Sequence, residues 1–256
     1  MSLPTASVEC ALLSRFRGAL LGLALSSAPF GFSAQGWERL REEKTREEKR
    51  SEEKIISLWE LSLGLLRHHD DWETRWQWLV SVAEPFCLTR VQALIMGDLL
   101  ERVLCDFSIA RSHQPLVLNT TKSEFSGFTY LENRLSRYDL PTEAQRYYQT
   151  TFTCVANGLL PEQGQDAFSI GVLCGLQPSC SYGVAVQRAA QFGELATIVA
   201  GLLSGAMGAE VALPVLWQLS DRATASDRAE NLPVNYLEVV AIANRLFNQW
   251  AGVLSV

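Results

Sequence analysis

The stretch SYGVAVQRAAQFGELATIVAGLLSGAMGAEVALPVLW, residues 181–217, decides how the fold is read. Ser181 stands where a helix N-cap belongs, and Val184, Val186, Ala189 and Ala190 carry apolar spacing down to Phe192. Gly193 suits the left-handed residue that ends such a helix. A second helix is predicted over 194–207, with Gly201, Ser204 and Gly205 inside it, Gly208 just beyond and Pro214 as the stop after them. A glycine in a helix interior costs up to about 1 kcal/mol against alanine. Several in one helix predict a buried central element with a neighbour's backbone close against it.

Around this element the chain reads as helices. Residues 7–27 form one, with Ser7 placed to cap it and Val8, Leu12, Leu13, Phe16, Leu20 and Leu23 at helical spacing before Pro29. The run REEKTREEKRSEEK, residues 41–54, holds no apolar residue. Its five-residue step advances about 140° around a helix, so no face recurs. It is predicted to be a solvated helical extension or a flexible loop, with a charged lid or partner-binding arm as the functional alternative. An apolar helix follows from Ile55. His68-His69-Asp70-Asp71 is predicted to be a helix end, not a metal cluster, with Asp70 or Asp71 capping the next helix. Trp72, Trp76, Leu79 and Val80 mark that helix, and another spans 89–107. Thr142 and Gln145 suggest a capping box opening a helix to about residue 160, then come a short apolar helix over 166–176 and an amphipathic one over 233–253. No alternating strand pattern and no linker interrupts this series. The fold class is all-α, in a single domain over 1–256 with a charged low-complexity segment at 41–54.

Composition narrows the classes of function. Apolar residues make up 48% of the 256, enough for a substantial core. The net charge of −6, with no basic block outside the mixed-charge run, argues against a nucleic-acid partner. Six scattered cysteines without a CxxC pair read as reduced thiols, hence a cytoplasmic protein. Arg15, Arg17 and the apolar 18–25 stretch could imitate a signal peptide, but Glu9 and the helical pattern before the arginines oppose that reading. No apolar run reaches the roughly 18–20 residues that cross a membrane, so no membrane partner is expected.

Two stretches resemble the ADP-ribosylglycohydrolase family. Members open with an Arg-x-x-Gly-x-Leu-Leu-Gly-Leu-Ala helix, similar to Arg17-Gly18-Ala19-Leu20-Leu21-Gly22-Leu23-Ala24, and continue into Gly-Asp-Ala-Leu-Gly, where this chain has Ser26-Ser27-Ala28-Pro29. Near the C-terminus the family places an Asp-x-Asp-Thr turn before a small-residue helix, and here it reads Glu194-Leu195-Ala196-Thr197. A third family motif, Thr/Ser-Asp-Asp-Thr, has its counterpart in Ser51-Glu52-Glu53-Lys54.

The resemblance implies an all-helical fold and cleavage of the glycosidic bond between ADP-ribose and an arginine or serine side chain, with two Mg²⁺-type ions held by the acidic motifs. Such ions need a full set of oxygen ligands. Ala196 removes one, Lys54 brings a cation, and Glu52, Glu53 and Glu194 each add a methylene. The expected function is therefore a diverged member that has lost the dinuclear site and acts by binding an ADP-ribose-like small molecule or a protein, with no metal cofactor. The alternative is an active hydrolase with a rebuilt acidic site that takes Mg²⁺ or Mn²⁺ on Ser51, Glu52, Glu53, Glu194 and Thr197. Glu52, Glu53 and Glu194 are its vestigial catalytic candidates.

Overall fold

A computed structural model describes residues 5–27, 46–82, 88–105, 135, 137–157, 166–177, 180–213 and 236–252. Among them the chain forms α-helices and one 3-10 turn, with no strand. The helices are α1 (Thr5–Ser27), α2 (Arg46–Arg67), α3 (Trp72–Ser81), α4 (Arg90–Cys105), α5 (Thr142–Asn157), α6 (Ala167–Gly175), α7 (Tyr182–Ala190), α8 (Glu194–Gly208) and α9 (Tyr236–Trp250). The turn Glu210–Ala212 follows α8. The all-α reading holds. No helix among the described residues is long and apolar enough to cross a membrane.

Helix α8 is central: every residue from Ala196 to Ala206 is buried. It packs chiefly on α1, α6 and α7, while α9 lies on α1 and α2, and α4 joins α2, α3 and α5. Two seams of small residues explain how so many helices reach it. On one side α1 crosses antiparallel. A methyl placed on Gly22 would stand 2.2 Å from the Gly201 carbonyl oxygen, and one on Gly18 would stand 2.3 Å from that of Gly205. On another side α6 runs parallel. A methyl on Gly171 would meet the Ala196 carbonyl oxygen at 2.7 Å, and one on Gly175 would meet that of Ala200 at 2.9 Å. Each seam repeats every four residues, the spacing that keeps one helix face in register with another. The chain accepts the low helix propensity of glycine because close contact of two backbones gains dispersion along the whole crossing.

Helix ends are closed by specific groups. Asp71 caps α3 by accepting from the Glu73 and Thr74 amides, as its sequence position suggests. Asp166 caps α6 through the Ser169 amide. Ser181 stands at the N-cap of α7, but its side chain makes no capping bond. Gly193, at φ 104°, turns the chain between α7 and α8 in a conformation that few other residues adopt.

Two sequence expectations are corrected. Ser7 lies inside α1, which begins at Thr5, so it is not the cap. The reciprocal capping box forms at Thr89 and Gln92, opening α4, where each side chain bonds the other's amide. At α5, Thr142 is already helical and the Gln145 amide group instead donates to the Leu140 carbonyl at 2.9 Å. Within the charged 41–54 run, residues 41–45 lie outside the described residues. From Arg46 onward the run is the first part of α2, the helical form expected of it; Glu53 and Lys54 are exposed and Ile55 is buried.

Candidate functional site

The N-terminus of α8 is where the resemblance locates one half of a metal site. Glu194 is half-buried in its first turn. Ala196 is fully buried, and its Cα and carbonyl form the floor on which Gly171 of α6 rests. The Thr197 hydroxyl donates to the Gly193 carbonyl at 2.8 Å, back along its own helix. At the end of α1, Ser26 and Ser27 are fully buried and both donate to the Leu23 carbonyl, at 3.1 and 2.8 Å. Tyr182, from α7, reaches over this end and donates to the Gly22 carbonyl at 2.8 Å. Burial pushes its phenol well above the ordinary tyrosine range, so it stays a neutral donor.

The other half of the expected site is on α2, whose chief neighbours are α4 and α9 rather than the set around α8. Glu53 and Lys54 are exposed there. Ser51 and Glu52 lie in the same helix, with side chains outside the described residues. Among the described residues no group of three or more His, Cys, Asp or Glu side chains is placed to share a metal ion.

A dinuclear Mg²⁺-type centre does not fit the groups that stand at the α8 end. Ala196 has no side-chain donor atom and is fully buried in an apolar cluster with Ile170, Ala189 and Ala200.

His68-His69-Asp70-Asp71 is a helix end, as its sequence suggests. The carbonyls of His68 and His69, left over at the end of α2, accept from Arg75 Nη1 at 3.1 and 2.8 Å. Arg75 is itself fully buried and centres a polar constellation. Its Nη2 is paired with Asp98, and with Glu101 at 2.8 Å. Asp98 also accepts from the hydroxyls of Tyr148 and Tyr138. Gly97 makes the space, since a methyl there would stand 2.7 Å from Arg75 Cδ. Burial disfavours the guanidinium charge, but Asp98 and Glu101 outweigh it and hold its pKa above the ordinary arginine value.

A parallel device works on α4. Arg15, reaching from α1, donates to the carbonyls of Val103 and Leu104 at its C-terminal end. A second network joins three helices through Tyr147, whose hydroxyl meets Asp166 at 2.7 Å and Ser169 at 3.2 Å and accepts from Gln92 at 3.4 Å.

Neither Arg75 nor Asp98 stands in a site motif of the sequence, although a signal for their pairing is there. Arg75 falls on the Trp72–Leu79 face of α3, and Asp98 interrupts an otherwise apolar run in α4. A lone base and a lone acid on two buried faces are each other's natural partner. Both guanidinium ends are committed to carbonyls and carboxylates, so the constellation binds helices together, while Arg75 Nε is buried with no hydrogen-bond partner among the described residues.

No family model, curated protein or solved structure matches the chain.

Proposed function

We propose that this chain is a diverged relative of the ADP-ribosylglycohydrolases that keeps a helical frame and acts by binding a small molecule of ADP-ribose type or a protein, not by metal-dependent hydrolysis. The observation that carries the reading is Ala196. The position that the resemblance assigns to a metal ligand is spent on the α6–α8 seam, where Gly171 rests on its backbone. A carboxylate there would have to be buried between two helices. The serines that end α1 support the same reading, because their hydroxyls are turned to the Leu23 carbonyl.

The test is a thermal shift with Mg²⁺ or Mn²⁺, with ADP-ribose, and with both, alongside release of ADP-ribose from a modified arginine peptide. A ligand of the native state alone raises the melting temperature. The expected result is no shift with either metal and no release. Stabilisation by ADP-ribose alone would identify the ligand, and its absence would favour a protein partner. Mg²⁺-dependent release of ADP-ribose would overturn the proposal and favour the rebuilt acidic site around Glu194.

A further inference from the structure

One buried titratable group takes no part in these networks. His69 is fully buried at the end of α2. Its Nδ1 lies 2.9 Å from the Leu66 carbonyl, which can only accept, so Nδ1 carries the ring proton and Nε2 carries the lone pair. That Nε2 is buried with no hydrogen-bond partner. Around the ring stand aromatic side chains from two other helices. Phe16 of α1 meets it edge to face at 5.0 Å, and Trp250 of α9 lies 4.9 Å away at 55°. Phe247 closes the box, 5.6 Å from Phe16 and 5.5 Å from Trp250.

The two halves of α9 are held in different ways. Asn244 accepts from Arg17 Nε at 2.8 Å, and Tyr236 is bonded to Glu210, which also pairs with Arg17 at 3.3 Å. These polar ties lie from the middle of the helix toward its start. The last turn rests on Phe247 and Trp250 against Phe16 and His69.

We propose that His69 is an acid-operated latch: protonation of Nε2 frees the C-terminal turn of α9, with Phe247 and Trp250, from α1 and α2 while the rest of the core stays folded. An imidazolium in this box would carry a second N–H with no acceptor, in apolar surroundings, so the proton is taken up only when the aromatic cover leaves. The charged groups facing the ring do not reverse this. Asp70 on the adjoining turn and Glu101 from α4 favour the charged form, Arg75 from α3 opposes it, and burial is the largest effect and lowers the pKa. From α1, Arg15 is committed to the α4 carbonyls and Arg17 to Asn244 and Glu210. The last turn of α9, Phe247 to Trp250, contains no ionisable side chain. Because the closed-state pKa is lowered, the latch is shut above the ordinary imidazole value of 6.5 and opens as the pH falls below it.

The test is hydrogen exchange of the full chain at about pH 7.5 and about pH 5, corrected for intrinsic rates, on wild type and His69→Phe. In wild type, residues 246–252 should lose protection at the lower pH by up to about thirtyfold, the ceiling that an open-state imidazole of pKa 6.5 sets at about pH 5, while 236–243 and α8 stay protected. His69→Phe, which fills the box without a titratable group, should show no such change. Equal loss of protection in α8 would mean that acid merely unfolds the chain, and an acid response kept by His69→Phe would assign it elsewhere; either overturns the latch. If His69→Phe does not fold, the Trp250 fluorescence of wild type, taken as the difference from Trp250→Phe, decides the matter. It should change with a midpoint below 6.5 as Trp250 leaves the ring for water, and a flat signal down to about pH 4.5 refutes the proposal.

Discussion

Gly22 of α1 and Gly201 of α8 meet backbone to backbone, so close that a methyl on Gly22 would stand 2.2 Å from the Gly201 carbonyl oxygen. Two effects of a Gly→Ala change then compete. Alanine gains up to about 1 kcal/mol of helix propensity. Overpacking against a backbone, which has no rotamer to yield, costs about 1–3 kcal/mol or more. The second wins here. Gly22→Ala and Gly201→Ala are expected to lower unfolding free energy in urea by about 2 kcal/mol, whereas Gly183→Ala in α7, with nothing within 4 Å, should be neutral or slightly stabilising. Equal effects at all three positions would contradict the seam.

Arg75→Met should be the costliest single change in the buried network. It leaves Asp98 without its cation and strips the His68 and His69 carbonyls of a donor, for an expected loss of about 3–5 kcal/mol. Asp98→Asn should cost less, because Arg75 keeps Glu101 and both carbonyls. The penalty of Arg75→Met should also shrink in acid, where the stranded Asp98 can be neutralised by a proton. Urea melts at neutral and acid pH check both the ranking and the trend.

Asp71 offers a milder pH signature. Hydrogen bonds from the Thr74 hydroxyl, at 2.6 Å, and from the Thr74 and Glu73 amides hold its carboxyl below the ordinary value of 3.8. A depressed folded-state pKa stabilises above the unfolded value and is lost as pH falls through the folded one. Asp71→Ala is expected to cost about 1 kcal/mol near neutrality. The difference from wild type should close once the carboxyl is protonated, as stability curves at the two pH values would read directly.

Ala196→Asp tests the seam and the lost metal ligand together. The new carboxylate would be buried among Ile170, Ala189 and Ala200, so the variant should be less stable than wild type by several kcal/mol. Added Mg²⁺ should not recover that loss, because no group of three ligating side chains lies among the described residues. A variant restored to wild-type melting temperature by Mg²⁺ would return this end of α8 to the metal-site reading.

The helical class, the central place of α8, the cap at Asp71 and the helix end at His68–His69 are all legible in the amino-acid order. These features are written in apolar periodicity, in glycine and in side chains that bond their own neighbouring amides, all of which act within a few residues. The glycines of α8 likewise announce that they want a close neighbour, without naming it. It takes the packed fold to establish that Gly201 and Gly205 face α1 while Ala196 and Ala200 face the glycines of α6, and that Arg75 finds Asp98, 23 residues away. Which face meets which is settled by the joint packing of all the helices, and spacing along one helix does not record it. The same limit explains the capping box. Thr-x-x-Gln occurs at both Thr89 and Thr142, and the turn that begins each helix decides which pair closes on itself.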